Sequence, residues 1–129
     1  MTTIHLNIPG IDAHALSIHL LVVIKNYIEG KEAGSIPAQK MEYLEAMDRS
    51  YLKLDQLSQC HDDETPQPLA LTTEEAEAVI RAFTDAEFQE LALRDEYYQK
   101  NSYTSYFGLI YAKYLKKISE AYVDALASA

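Results

Sequence analysis

Apolar and polar residues alternate near the start of the chain, with Ile4, Leu6 and Ile8 set against His5 and Asn7. A period of two is the pattern of a short strand with one buried face. Pro9-Gly10 ends it. No second run of this kind is evident, so the segment is expected to lie along the helices as an extended arm. From residue 12 onward the spacing changes to threes and fours. Leu16, Leu20, Val23, Ile24, Tyr27 and Ile28 share one broad face of a helix that begins near Asp12, a good N-cap, and stops at Gly30. Ile18 and Val22 fall on the opposite side, among His14, Lys25 and Asn26. A helix that is apolar nearly all round is either central or covered on both sides.

After a linker over residues 31–35, Ser35 is placed to cap a second helix, with Pro37 in its first turn, where a missing N–H costs little. This helix is predicted to run to about Gln59. Leu44, Met47, Tyr51 and Leu54 form its packing seam, and Lys40, Glu42, Glu45, Asp48, Arg49 and Lys53 a solvated face of mixed charge. Residues 61–71, with Asp62, Asp63, Glu64, Pro66 and Pro68, read as the clearest loop. Thr72 with Glu75 matches a capping box at the head of a third helix, which buries Ala76, Val79, Ile80 and Phe83. Thr84 with Glu87 reads as a second box opening a fourth helix, with Phe88, Leu91 and Ala92 as its stripe. Lys100-Asn101-Ser102 breaks the pattern. A fifth helix from about Tyr103 carries Phe107, Ile110, Tyr114, Ile118, Ala121 and Ala125 on one face, with Tyr106 and Leu109 outside it beside Lys113 and Lys116. The expected fold is therefore all-α, a four- or five-helix bundle with a short extended N-terminal arm, forming one helical domain over residues 1–129.

Composition agrees with a folded chain. A sequence of 129 residues that is 48% hydrophobic and 24% charged buries roughly two-thirds of its unfolded surface and needs no staples. Four glycines and four prolines are too few for a turn-rich β-sandwich. The single cysteine, Cys60, excludes an internal disulfide and suits a reducing compartment. The first ten residues lack the basic start and apolar run of a signal peptide. The longest pure apolar run, residues 20–24, is far short of a membrane span. A cytoplasmic protein without membrane contact is the expectation.

The candidate chemistry is sparse. His5, His14, His19 and His61 form no HExxH and no Glu-x-x-His pair, so no metal site is expected. Cys60 and His61 are a thiol and an imidazole side by side, but their acidic neighbours disfavour a thiolate. The carboxylate pairs Asp62-Asp63, Glu74-Glu75 and Asp95-Glu96 sit in helix first turns or on polar faces, where those of a first turn complement the helix dipole. No glycine-rich phosphate loop and no cofactor fingerprint are present. A non-enzymatic protein without a cofactor is expected.

Two features point to binding instead. The net charge is −9, and residues 61–100 hold eleven acids against three bases. Such a surface disfavours direct contact with nucleic acid and suits a basic protein partner, including one that itself binds nucleic acid. Solubility and helix capping explain the same charges. The chain also has ten tyrosines and no tryptophan, six of them between Tyr97 and Tyr114, and tyrosine is enriched in binding surfaces. The leading expectation is an inhibitor or modulator that grips a basic partner with Glu87, Glu90, Asp95, Glu96, Tyr97 and Tyr98. The alternative is a homo-oligomer that binds a small anionic, nucleotide-like ligand with Tyr98, Tyr103, Tyr106, Lys113 and Lys116. Ile18 and Val22 suggest a self-association surface, unless a second helical layer covers them within the chain.

Overall fold

The computed structural model describes the backbone of residues 2–31, 34–59, 64–93 and 105–128, together with their side chains except those of 91–93 and 105–107. Among these residues the elements run β1 (Thr3–Pro9), α1 (Gly10–Glu29), α2 (Ala38–Ser58), β2 (Pro66–Thr72), α3 (Thr73–Thr84), α4 (Ala86–Leu93) and α5 (Ser105–Ala127). The molecule is mostly helical, but it is not all-α. β1 pairs antiparallel with β2, in a register that sets Thr3 opposite Thr72, Leu6 opposite Leu69 and Pro9 opposite Pro66. The expected N-terminal arm is a strand, and the end of the expected loop is its partner.

Two prolines hide β2 in the sequence. Pro66 and Pro68 have no N–H to donate, which argues against a central strand, but a two-stranded sheet has only edges. The alternation is there on a small scale. Leu69 and Leu71 are buried on either side of exposed Ala70, opposite a β1 in which Ile4 and Ile8 are buried. A two-stranded ribbon is marginal alone. Here it rests on the helices, β1 against α5 and α1, and β2 against α3 and α2. Lys53 Nζ of α2 also donates to the Ala70 carbonyl at 2.9 Å.

α1 is the central helix, in contact with all four others. Its length and apolar composition would suffice to cross a membrane, yet half of that stretch is buried within this fold. Val22 is 7% exposed and belongs to the core, and Ile18 packs against it. Other elements of the same chain bury Val22 and half-bury Ile18, as the second of the two sequence readings, cover by a further helical layer, expects. The exposed apolar residues of α1 are Ile11, Leu21 and Ile28. His19 is also in the core. Its Nε2–H donates to the Ala82 carbonyl at 2.9 Å, and its ring stacks on Phe83 with centroids 3.9 Å apart. Burial lowers its pKa to about 4, against an opposing pull from the Ala82 hydrogen bond.

The helix starts agree only in part with the expected caps. The α3 capping box forms: Glu75 N donates to Thr72 Oγ1 at 3.1 Å, and Thr72 N to Glu75 Oε1 at 2.9 Å. At α4 the cap is Asp85 rather than Thr84. Asp85 Oδ1 accepts from the backbone N–H of Glu87 at 3.0 Å and of Phe88 at 3.1 Å, while the Thr84 hydroxyl donates back to Ile80 at 2.9 Å. α1 starts at Gly10, leaving Asp12 in its first turn to accept from the Tyr114 hydroxyl at 2.8 Å. α2 starts at Ala38 with Pro37, not Ser35, in the cap position.

Candidate functional site

α2 and α3 pack against each other, and small side chains at a helix contact permit a short interaxial distance. Ala46 of α2 and Ala76, Ala78 and Ala82 of α3 are all buried. The charged residues beside them are pushed to the rim. Glu42, Tyr43, Glu45, Ala46 and Arg49 of α2 face Glu74 and Glu77 of α3 across an open groove of about 230 Å³. Four of its seven lining residues are glutamates. The sequence spacing accounts for this: Glu42 and Glu45 are three apart on one helix, Glu74 and Glu77 three apart on the other, so each pair shares a face.

The groove keeps most of its negative charge. Arg49, the one cation among its lining residues, turns to Glu75 beneath, with Nε 3.4 Å from Oε2. Glu77 is shared between Arg81 at 3.8 Å and the Tyr43 hydroxyl, which donates to it at 3.4 Å. Glu42, Glu45 and Glu74 form no ion pair among the described residues. The potential reaches the last helix. The Tyr122 hydroxyl of α5 is pushed up first by burial and then by the charge of Glu77.

Below the groove, Glu75 is 2% exposed. Burial alone would raise its pKa, but hydrogen bonds from Lys53 and from Thr72 N–H, then the charges of Lys53 and Arg49, hold it below the ordinary carboxylate value. This node ties the start of α3 to α2 through Lys53 and Arg49.

The residues expected from sequence to bind a partner fare differently. Glu87 is engaged within the chain, in an ion pair with Lys31 at 3.4 Å. Beside it the buried Tyr27 ring meets Phe88 edge-on, with centroids 5.0 Å apart. The Tyr27 hydroxyl is pushed up to about 12, first by burial and then by Glu87, although its approach to Glu87 lacks ordinary hydrogen-bond geometry. Asp85 forms an ion pair with Lys40. Reversing the charge of Glu87 would set a lysine against Lys31, so that change perturbs the fold as well as the surface. Glu90 is exposed on α4. Asp95, Glu96, Tyr97, Tyr98 and Tyr103 lie outside the described residues, as do Cys60, His61, Asp62 and Asp63. Lys113 and Lys116 are exposed on α5, and the side chain of Tyr106 is outside the described set. Among the described residues no group of three potential ligands is arranged to hold a metal ion.

From sequence alone Glu42 and Glu45 read as part of a solvated face, and Glu74 as a helix-dipole partner. Their paired three-residue spacing beside buried alanines was the available signal. Compared with protein-family models, curated proteins and solved structures, the chain matches none.

Proposed function

We propose that this chain is a non-enzymatic interaction protein of the cytoplasm. It takes a basic segment of a protein partner into the groove between α2 and α3, and thereby modulates or blocks that partner. The observation that carries this reading is the set of three carboxylates, Glu42, Glu45 and Glu74, which line one groove without ion pairs among the described residues. Carboxylates held side by side repel one another and gain when a lysine or arginine enters between them. Tyr43 adds an aromatic wall that already accepts a cation: the Arg81 guanidinium lies 5.7 Å from its ring.

The test uses an arginine- and lysine-rich peptide as probe and reads affinity by fluorescence anisotropy at several salt concentrations. The triple variant Glu42→Gln/Glu45→Gln/Glu74→Gln is compared with Glu29→Gln/Asp55→Asn/Glu90→Gln, which removes the same formal charge elsewhere. The groove variant is expected to lose about tenfold in affinity, on the order of 1.4 kcal/mol, and the control much less. Equal losses in the two variants would show a diffuse charge effect and end the proposal.

A further inference from the structure

The outer side of α5 carries exposed apolar residues and a row of charges, of which Lys113 and Lys117 lie over the Tyr114 ring at 5.3 and 5.5 Å from its centroid. Its inner side is buried through Ile110, Tyr114 and Ile118. On the other side Leu109, Val123 and Leu126 are 71%, 63% and 52% exposed. Together with Ala112, Lys116 and Ser119 they recur at alternating steps of three and four, which is the a and d spacing of a helix–helix seam. The charges along the seam are segregated. Lys113, Lys116 and Lys117 occupy its first half, Glu120 and Asp124 its second. None of the five forms an ion pair among the described residues.

We propose that α5 pairs with α5 of a second copy of this chain, antiparallel, along this stripe. The segregated charge decides the direction. A parallel pair would place Lys116 against its own counterpart in the seam and set the lysines of both copies side by side. An antiparallel pair with Leu109 opposite the second copy's Leu126 puts every a position opposite a d position. Ala112 then faces Val123, Lys116 faces Ser119, and Lys113 comes beside Glu120. The two-fold axis makes each contact twice. A shallow depression of about 490 Å³ lined by Ser119, Glu120, Val123 and Asp124 lies on the stripe, at the level where this register seats the second copy's Lys113 and Lys116. A lysine within the seam weakens association but fixes its orientation.

Sedimentation velocity over about a hundredfold range of concentration reads the result, since a dimer dissociates on dilution. The wild type is expected to pass from monomer to dimer, and Val123→Glu to remain monomeric. Lys113→Glu or Glu120→Lys alone should weaken association by about tenfold, because each leaves like charges facing one another. The double variant Lys113→Glu/Glu120→Lys should recover it, because in this register the exchanged charges face each other again. In a parallel pair residues 113 and 120 do not meet, so the double variant would recover nothing. Thermal melting of each variant confirms an intact fold, as all three sites are on the surface. A wild type that stays monomeric overturns the proposal. So does a dimer indifferent to Val123→Glu, or one in which the double exchange fails to restore what the single changes lose. None of these variants touches the α2–α3 groove, so the outcome is separate from that of the peptide experiment.

Discussion

Glu75→Gln is the sharpest test of how the start of α3 is tied to α2. Glu75 Oε1 accepts from Lys53 Nζ at 2.5 Å and Thr72 N at 2.9 Å, and Oε2 faces Arg49 Nε at 3.4 Å. Glutamine preserves the size of the side chain and an oxygen for the Thr72 cap, but it removes the charge and presents an N–H donor to a cation. Breaking a fully buried ion pair costs about 3–5 kcal/mol. Here the Lys53 and Arg49 side chains are 39% and 52% exposed, so both are free to rehydrate, and the loss falls to that of one charge-assisted hydrogen bond, about 2 kcal/mol. For a chain of this size that is about 8 °C in Tm. The pH dependence gives a second reading. The folded pKa of Glu75 lies below its ordinary value of 4.5. Its contribution is therefore complete above the unfolded pKa and is lost as pH falls through the folded one. Thermal unfolding followed by circular dichroism between about pH 3 and 7 should show a wild-type advantage near neutrality that closes in acid. Other carboxylates titrate in both proteins and cancel in the difference. No loss at neutrality, or a gap of the same size at both ends of the range, would refute the reasoning.

Two groups away from the groove, buried His19 and half-buried Asp85, give further outcomes. His19 stays neutral in the folded state, with its pKa lowered from 6.5 to about 4, whereas the unfolded chain takes up the proton at the higher value. Stability is thus fully present above about pH 6.5 and declines towards pH 4 by up to about 3 kcal/mol. His19→Phe should flatten that slope in urea titrations, and an unchanged slope would assign it elsewhere. Asp85→Ala removes the acceptor for the first amides of α4 and the partner of Lys40, and should cost about 1–2 kcal/mol. It should also speed hydrogen exchange at Glu87 and Phe88, and unaltered protection there would remove Asp85 from the capping role.

The long helices α1, α2 and α5 were legible because each carries a long periodic signal. Thr72 and Glu75 announce α3 so locally that both hydrogen bonds of the capping box form as expected. β2 was not legible. Its buried face has only two residues, Leu69 and Leu71, its prolines argue for a loop, and its partner is far away in the chain. The charges were legible as a sum and not as a place. Counting along the sequence collects the acids of residues 61–100, but it cannot show Lys31 reaching Glu87 or Glu42 facing Glu74 across a helix pair. Ile18 and Val22 read from sequence as lying off the main face of α1, and only the packing of the chain shows that Val22 is buried there and Ile18 half-buried.

The pairing of β1 with β2 constrains the order in which the molecule can assemble. Pro9 and its partner Pro66 are 57 positions apart, and closing a floppy loop of that length costs on the order of 3–4 kcal/mol in entropy. The intervening chain lowers that barrier if α1 and α2 first dock as a hairpin, because their docking delivers both strands to the same end. During synthesis the apolar side of β1 therefore waits, unpaired, while two long helices are made. In the folded molecule the ribbon ties the start of α1 to the segment that follows α2.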